Sequence, residues 1–326
     1  MKAFEYASAR DLKEAVALLG ERKGKARVLA GGTDLLTQMK ERIAEPDRVV
    51  NIKEIPGLDR IEAGTAGLRL GALVPLSEIA SHAGIRKTWR AVAEGAGAAA
   101  TPQIRNAGTL GGNLCQRPRC WYFRSEDFHC LKKGGTECFA AEGENKYHAI
   151  FGSGGCHIVH PSDTAPALVA FESTITIQSR AGERTMPLET FFTPPDRDVT
   201  RENLLESDEV VSSIQAPPPP AGTRSTYLKI REKASFDFAL VSCAAALTFA
   251  GGVCTRARIV LGGVAPIPWR CAEAEAVLAG HAVEEALASR AAEAALAHAV
   301  PLSKNRYKIP MVKAAIRRVL TTLARA

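Results

Sequence analysis

The sequence lacks a long hydrophobic run. Its longest apolar stretch, residues 238–250, is broken by Ser242 and Thr248 and is too short and too polar to cross a membrane. The first six residues, Met-Lys-Ala-Phe-Glu-Tyr, lack the apolar segment of a signal peptide. We therefore expect neither membrane insertion nor a signal peptide in this chain.

The chain also lacks a concentrated basic patch. Its formal net charge of +7 comes from 42 lysines and arginines against 35 acidic residues, and aromatic residues make up only 6%. No basic stripe interleaved with aromatic residues is present, so the sequence predicts no nucleic-acid partner. Its positive charge is typical of a solvated surface, or of one that faces an acidic partner.

Neither a G-x-G-x-x-G fingerprint nor a Walker loop is present, so Rossmann and P-loop sites are unsupported. Two other glycine-rich segments are present. Residues 30–35, Ala-Gly-Gly-Thr-Asp-Leu, follow a predicted strand, and taken alone they are more typical of a tight turn. Residues 101–113 contain three glycines, two asparagines, two threonines and an arginine. We interpret them as a loop too irregular for helix or sheet. Two donor-rich loops together predict a site for the pyrophosphate of a dinucleotide.

Five of the eight cysteines fall in one window, at Cys115, Cys120, Cys130, Cys138 and Cys156. In a chain without a signal peptide, clustered thiols indicate metal ligands before disulfides. The paired C-x₂₋₄-C spacing of zinc modules is absent. Four widely spaced thiolates can still converge on one cluster. The spacing alone leaves an iron–sulfur cluster, a zinc ion and no metal as open alternatives.

The distribution of predicted elements indicates two domains. Short strands and helices alternate through the first hundred residues, which is typical of an α/β region, and regular patterning then disappears over residues 98–162. Four prolines within residues 216–222 predict a stiff linker. Three strands near residues 225–262 and three helices at 272–278, 283–298 and 310–326 follow, in the block order of an α+β domain. We therefore predict domains at 1–221 and 222–326.

Five segments together resemble the FAD-binding medium subunits of the xanthine dehydrogenase family of molybdenum hydroxylases. They are residues 30–35, 104–113, 160–163 (His-Pro-Ser-Asp), 227–233 with 236–241, and 305–308 (Asn-Arg-Tyr-Lys). The resemblance implies an α+β fold. It comprises an α/β FAD-binding region of the vanillyl-alcohol-oxidase type, in two subdomains, and a smaller α+β C-terminal domain of the CO dehydrogenase flavoprotein type with an antiparallel sheet and helices.

The same resemblance implies FAD-binding residues. Residues of the first loop would wrap the FAD pyrophosphate: Arg27, Val28, Leu29, Ala30, Gly31, Gly32, Thr33, Asp34 and Leu35. Residues of the second segment would lie on its other side: Thr101, Asn106, Gly108, Thr109, Gly111, Gly112 and Asn113. Asp163 would accept hydrogen bonds from FAD hydroxyl groups, and Lys229 would lie near the flavin. Without the resemblance, Asp163 is equally typical of a helix N-cap and Lys229 of a solvated charge.

The cysteine segment, an insertion at about residues 115–160, resembles two subgroups of this family that carry a [4Fe–4S] cluster. These are bacterial aldehyde oxidoreductase FAD subunits and the β subunit of 4-hydroxybenzoyl-CoA reductase. The flanking residues 117–123 and 138–143 are more similar to the first subgroup. The resemblance implies Cys120, Cys130, Cys138 and Cys156 as cluster ligands and leaves Cys115 as a spare thiol.

The resemblance therefore implies an electron-transfer subunit of a heterotrimeric enzyme that oxidises aldehydes to carboxylic acids. Its partners would be a large molybdenum-cofactor subunit and a small subunit with two [2Fe–2S] clusters, and this chain would hold no catalytic residue of its own. The chain would be cytoplasmic, or periplasmic by co-export with a signal-bearing partner. The alternatives are a subunit of a 4-hydroxybenzoyl-CoA reductase-like enzyme, a self-contained flavin oxidase, and a flavin-free zinc or iron–sulfur structural protein.

Overall fold

The computed structural model describes all residues from Met1 to Ala326. The strands are β1 (Glu5–Ser8), β2 (Ala26–Leu29), β3 (Arg48–Asn51), β4 (Ile61–Gly64), β5 (Gly67–Gly71), β6 (Thr174–Ser179), β7 (Gly182–Pro187), β8 (Val210–Ala216), β9 (Thr223–Ile230), β10 (Val241–Ala250), β11 (Val253–Gly262) and β12 (Trp269–Arg270).

The helices are α1 (Leu12–Gly20), α2 (Leu35–Lys40), α3 (Leu76–Ser81), α4 (Ala83–Thr88), α5 (Arg90–Ala98), α6 (Pro102–Ala107), α7 (Leu110–Cys115), α8 (Trp121–Arg124), α9 (Thr164–Ala170), α10 (Leu188–Phe191), α11 (Ala272–Leu278), α12 (Glu285–Ala294) and α13 (Lys308–Arg325). A 3₁₀ turn covers Leu131–Lys133. None of these helices combines the length and the apolar character that crossing a membrane requires.

Three separate sheets organise the chain. The first is parallel, in the order β1-β3-β2, and its central strand β3 is buried along its whole length. The second is antiparallel, in the order β4-β5-β8-β6-β7, and the third is antiparallel, in the order β12-β11-β10-β9. The expected mixture of helices and sheets, with an antiparallel C-terminal sheet, is confirmed. The α/β character is confined to the first sheet, because short hairpins rather than helices join β4 to β5 and β6 to β7.

Local sequence signals explain several helix boundaries. The Asp11 carboxylate caps α1 by accepting a hydrogen bond from the Glu14 amide at 2.8 Å. Helices α4 and α5 are separate because the chain breaks at Trp89, whose indole N–H donates to the Pro217 carbonyl at 3.1 Å. The C-terminal domain follows its predicted pattern closely: α11 spans the predicted residues, and Gly251 and Gly252 turn between β10 and β11 with φ of 56° and 82°.

The prediction that residues 101–113 form an irregular loop is wrong, because they form α6 and α7. Pro102 occupies the first turn of α6, and the Thr101 hydroxyl caps it by accepting from the Ile104 amide at 3.3 Å. The Thr109 hydroxyl caps α7 in the same way, accepting from the Gly112 amide at 3.3 Å. The Thr109 cap compensates for the low helix propensity of the two glycines in α7.

Candidate functional site

A cleft of about 580 Å³ opens along the first glycine loop and reaches helix α7. Its lining includes most of the predicted cofactor-binding residues: Arg27, Val28, Ala30, Gly31, Gly32, Thr33, Asp34, Leu35, Thr109, Gly111 and Gly112. An adjoining cavity of about 380 Å³ shares Thr33, Asp34, Thr109 and Gly112 with the cleft and adds Gly108, Asn113 and Asp163. The two segments that the sequence singled out therefore border one extended site.

The first glycine loop presents free backbone donors to this cleft. The N–H groups of residues 30–34 donate to no backbone or side-chain acceptor within the chain. Buried or half-buried amides are normally paired, and a run of unpaired amides in a glycine turn is typical of an anion site. Gly32 has a φ of +72°, which turns the chain within this run. The Arg27 guanidinium donates only to the carbonyls of Gly24 and Ala26, so its charge also remains available to an anion.

Gly31 brings the two segments into contact. A Cβ atom at this position would lie 2.0 Å from the carbonyl oxygen of Ala107, a separation that no side chain tolerates. Glycine is therefore required for the first loop to pack against the end of α6.

The second segment contributes differently from what its composition suggested. The amides of Leu110 and Gly111 donate to the carbonyls of Val74 and Ala72 at 2.9 and 2.8 Å, so they hold α7 on β5 and the turn that follows it. The Asn113 side-chain oxygen accepts from the hydroxyls of Ser162 and Thr164, both at 2.6 Å. The side-chain nitrogen of Asn113 has no hydrogen-bond partner in the chain and is available to a ligand in the second cavity. The first loop is therefore the main source of free backbone donors.

Asp34 anchors the cysteine segment to the first glycine loop. Its carboxylate accepts from the Arg124 guanidinium at 2.7 Å and from the backbone N–H of Arg117 at 2.8 Å, and it lies 3.0 Å from the guanidinium of Arg119. Two guanidinium groups around one carboxylate leave the region net positive. Such a region can accept a further anion beside a glycine loop.

Asp163 and Lys229 form a buried ion pair at 2.7 Å, and the Tyr227 hydroxyl donates to the other carboxylate oxygen at 2.6 Å. Complete burial raises the pKa of the Asp163 carboxyl, although the Lys229 ammonium and the Tyr227 hydroxyl oppose this shift. Asp163 precedes α9, but its side chain makes no capping bond, because the Ser162 hydroxyl accepts from the Ala165 amide instead. The Lys229 side chain is 3% exposed, which contradicts a solvated charge.

Four predicted residues lie outside the lining of the two cavities. Leu29 belongs to β2, Thr101 is occupied in capping α6, and Asn106 is exposed to solvent without a hydrogen-bond partner. Lys229 is also absent from the lining of both cavities. It is connected to the second cavity only through its hydrogen bond to Asp163, which lines that cavity.

The four predicted ligand cysteines line one small cavity. Cys120, Cys130, Cys138 and Cys156 surround it, whereas Cys115 lines the wall of the first cleft. No group of three or more His, Cys, Asp or Glu side chains converges closely enough to hold a metal ion. The thiols therefore lie around a shared space rather than at a common point.

Backbone N–H groups face three of these sulfur atoms and favour their thiolate forms. Backbone N–H groups of residues 122 and 123 donate towards Cys120, and those of residues 140 and 157 donate towards Cys138. The interaction between the free thiols of Cys138 and Cys156 lowers the pKa of Cys138 to about 5 and raises that of Cys156. Burial raises the pKa of Cys120 to about 11 and that of Cys115 to about 12.

An aromatic cluster and one ion pair enclose this cavity. Tyr122 packs edge-on against Phe128 at 5.0 Å between ring centroids, and Phe128 packs against Phe139 at 5.2 Å. The Lys132 ammonium is buried and pairs with Glu202 at 2.8 Å. Glu202 also binds the Arg117 guanidinium at 2.9 Å and lines the first cleft. Glu202 is therefore, in addition to Asp34, a carboxylate that connects the first cleft with the thiol cavity.

His148 is the residue that sequence reasoning missed at this site. Its Nε2 atom lies 3.2 Å from the Cys120 sulfur, and burial lowers the pKa of its imidazole to about 4. The contact joins residues 28 positions apart, and no local pattern signals it.

The C-terminal motif at residues 305–308 holds the end of the cysteine segment. The Asn305 side-chain amide donates to the carbonyls of His148 and Ala149, both at 3.1 Å. The fully buried Lys308 ammonium donates to the carbonyls of Tyr147 at 2.9 Å and Gly263 at 2.7 Å. The C-terminal domain therefore fixes the backbone beside the thiol cavity.

Comparison with protein families gives two matches. Residues 2–219 match the FAD binding domain in molybdopterin dehydrogenase, and residues 225–323 match the CO dehydrogenase flavoprotein C-terminal domain. Together these two matches cover nearly the whole chain.

Individual relatives agree with these matches. The chain is 36% identical to the aldehyde oxidoreductase FAD-binding subunit PaoB of Escherichia coli K12 over 326 residues, 98% of each chain. It is 30% identical to the carbon monoxide dehydrogenase medium chain of Hydrogenophaga pseudoflava over 280 residues, 86% of this chain and 81% of the relative. A solved structure of carbon monoxide dehydrogenase from the same organism superposes with a TM-score of 0.78 at 30% identity, covering 98% of this chain and 96% of that one.

Proposed function

Because the chain belongs to the FAD-binding subunits of the molybdenum hydroxylase family, we propose that it is the electron-transfer subunit of an aldehyde-oxidising enzyme and that it carries both FAD and a [4Fe–4S] cluster. The observation that most strongly supports a flavin site is the run of unpaired backbone amides at residues 30–34. This run lies beside Arg119 and Arg124, which both pair with Asp34. Bound FAD would accept electrons from partner [2Fe–2S] clusters and supply them to an external acceptor.

The residues present fit FAD in chemistry and in space. The free amides and Arg27 suit the pyrophosphate, since both are donors that line the same cleft. Asn113 and Asp163 offer hydrogen-bonding groups to the second cavity, which also contains Phe236 and Phe238. We propose that the pyrophosphate lies along the first loop and that the hydroxyl-bearing chain of FAD runs towards Asp163.

The four thiols fit the chemistry of an iron–sulfur cluster. Soft sulfur ligands suit its irons, and four cysteines that line one cavity can complete its outer coordination. The lining carries apolar and aromatic side chains, and backbone N–H groups already point at three sulfurs. Hydrogen bonds to sulfur and exclusion of water are the features that set the potential of such clusters.

The proposed partners follow from the family and from the composition of the site. We propose a large molybdenum-cofactor subunit and a small subunit with two [2Fe–2S] clusters. In this proposal the chain holds the flavin, and substrate oxidation belongs to the large subunit. The aldehyde class rests on the similarity of the cysteine flanks to those of aldehyde oxidoreductase subunits.

Co-production of the chain with the proteins encoded beside it tests this proposal. The purified complex should contain molybdenum, show flavin bands with a broad iron–sulfur shoulder, and oxidise aldehydes with a dye acceptor. The chain produced alone should not oxidise aldehydes. Aldehyde turnover by the isolated chain, or a complex without molybdenum, would refute the subunit assignment.

A further inference from the structure

The imidazole of His148 is held in one orientation beside the Cys120 sulfur. Its side chain is buried, with a residue exposure of 3%, and the Trp121 ring packs edge-on against it at 5.5 Å. Its own amide donates to the Asn145 carbonyl at 3.0 Å, and its carbonyl accepts from the Asn305 side chain at 3.1 Å. Both the ring and the backbone are therefore fixed, so the Nε2–sulfur contact of 3.2 Å is a built feature.

The environment of the ring decides which nitrogen carries the proton. The Nδ1 atom is buried and has no hydrogen-bond partner. A neutral imidazole has one donor and one acceptor nitrogen, and orphaned buried N–H groups are rarer than orphaned acceptors. A proton on Nδ1 would be buried without an acceptor, whereas a proton on Nε2 points at sulfur. The favoured tautomer therefore directs its N–H at Cys120.

This donor differs from the others around the thiol cavity. The groups that face the sulfur atoms of Cys120, Cys138 and Cys156 include backbone N–H groups, which a substitution at the His148 side chain leaves in place. Among the four cysteines, Cys120 alone has a side-chain nitrogen within hydrogen-bond distance of its sulfur. A change at His148 therefore alters the hydrogen bonding of one sulfur and leaves the backbone donors in place.

We propose that His148 donates its Nε2–H to the Cys120 thiolate and thereby raises the reduction potential of the cluster held by the four cysteines. The inference rests on the proposed iron–sulfur function. Reduction adds one electron to the cluster and breaks no bond, and the added negative charge is shared by the ligand sulfurs. A donor to one of those sulfurs stabilises the reduced form more than the oxidised form. His148 is thus a positioning and tuning residue, since it acts through Cys120.

Redox titration of the intact complex, followed by low-temperature EPR, tests this. His148→Phe keeps a ring beside Trp121 but removes the donor. We expect its ratio of reduced to oxidised cluster at a fixed potential to fall about tenfold, a shift of about 59 mV for a one-electron couple. His148→Gln retains an amide donor and should restore much of the potential. His129 is exposed, adjoins Cys130 and makes no side-chain hydrogen bond, so His129→Phe is the matched control and should leave the potential unchanged.

Iron content separates this inference from the function on which it rests. A wild-type complex whose iron is fully accounted for by the small subunit would overturn the cluster itself. A His148→Phe complex with full iron and an unchanged potential would overturn only the role of His148, as would equal shifts in the Phe and Gln variants. If the Phe variant loses its iron, pulsed EPR of the wild type labelled with ¹⁵N-histidine decides. A ¹⁵N coupling to the reduced cluster supports the bond, and its absence overturns it.

Discussion

The Asp34 carboxylate and the Arg124 guanidinium, 90 residues apart in the chain, form a hydrogen-bonded ion pair at 2.7 Å. Asp34 belongs to the glycine loop that lines the flavin cleft, and Arg124 lies four residues after the first predicted cluster ligand, Cys120. The Asp34 carboxylate therefore joins the two proposed cofactor sites. Its loss should affect both.

Asp34→Asn tests this connection. The substitution keeps the size of the side chain but removes the charge that pairs with Arg119 and Arg124. We expect FAD binding to weaken at least tenfold and hydrogen exchange to accelerate across residues 116–124, because charge-assisted bonds of about 1.5–3 kcal/mol each are lost. Asp47→Asn, at an exposed pair with Lys2, is the control and should change neither. Normal flavin affinity with fast exchange would show that the sites are independent.

Gly112 allows a test of the cleft that spares the fold. It lines both cavities, and a Cβ atom there would meet only the Thr109 hydroxyl, at 3.1 Å. Gly112→Ala should therefore change the stability of the flavin-free protein by no more than about 1 kcal/mol. Its added methyl group, however, would occupy space in the cleft where we propose that FAD binds. We expect flavin affinity to fall about tenfold, about 1.4 kcal/mol. Gly97→Ala, in α5, should leave flavin affinity unaltered; an equal effect at both glycines would argue against the site.

The sequence predicted the elements whose signals are local. Helix α11 has its predicted bounds, and strands β9, β10 and β11 lie in the region where three strands were predicted. The helices α6 and α7 were missed because glycine-rich composition outweighed the threonine caps at Thr101 and Thr109. Strand β4 was also missed, since its four residues alternate without a strong apolar run.

Contacts between distant segments lay beyond sequence reasoning. The glycine loop was identifiable from its pattern, but its unpaired amides depend on where neighbouring strands end. The partners of Asp34 and the contact between His148 and Cys120 join segments with no common pattern. The four cysteines were selected by resemblance, and their placement around one cavity required the fold.

The ion pair between Asp163 and Lys229 should be important for stability. Lys229→Met leaves a buried carboxylate without its counter-ion, which typically costs about 3–5 kcal/mol. The double variant Lys229→Met, Asp163→Asn should cost less than the sum of its single variants, because it removes both charges. Urea unfolding of the four proteins measures this coupling. Lys146→Met, at an exposed pair with Glu232, should cost less than about 1 kcal/mol. Additive effects at Asp163 and Lys229 would contradict the pairing.

Lys308 should make stability depend on pH. Burial lowers the pKa of its ammonium group to about 7, whereas a lysine in an unfolded chain titrates near about 10.4. Between these values the unfolded state binds a proton that the native state lacks. The free energy of unfolding therefore rises with pH, by at most about 1.4 kcal/mol per pH unit.

Urea unfolding of wild type and Lys308→Met between pH 7 and 10 checks this expectation. The variant should lose the lysine-dependent rise, whereas Lys313→Met, on the exposed side of the same helix, should retain it. A Lys308→Met protein with the wild-type slope would show that the buried amine keeps its proton.

The central claim is that this flavin subunit holds a four-iron cluster on Cys120, Cys130, Cys138 and Cys156. Serine at each of these positions removes one thiolate from the shared cavity, whereas Cys115→Ser changes a thiol that lines the flavin cleft. The matched pair Cys156→Ser and Cys115→Ser therefore separates loss of a ligand from loss of any buried thiol.

Counting iron per complex, together with EPR after reduction, is the most direct measurement. Wild type and Cys115→Ser should contain about four irons more than the small subunit requires. Each of the other four serine variants should lose or alter the corresponding signal, while the complex retains one FAD. Equal iron in wild type and in Cys156→Ser, or loss of the cluster in Cys115→Ser alone, would contradict the account.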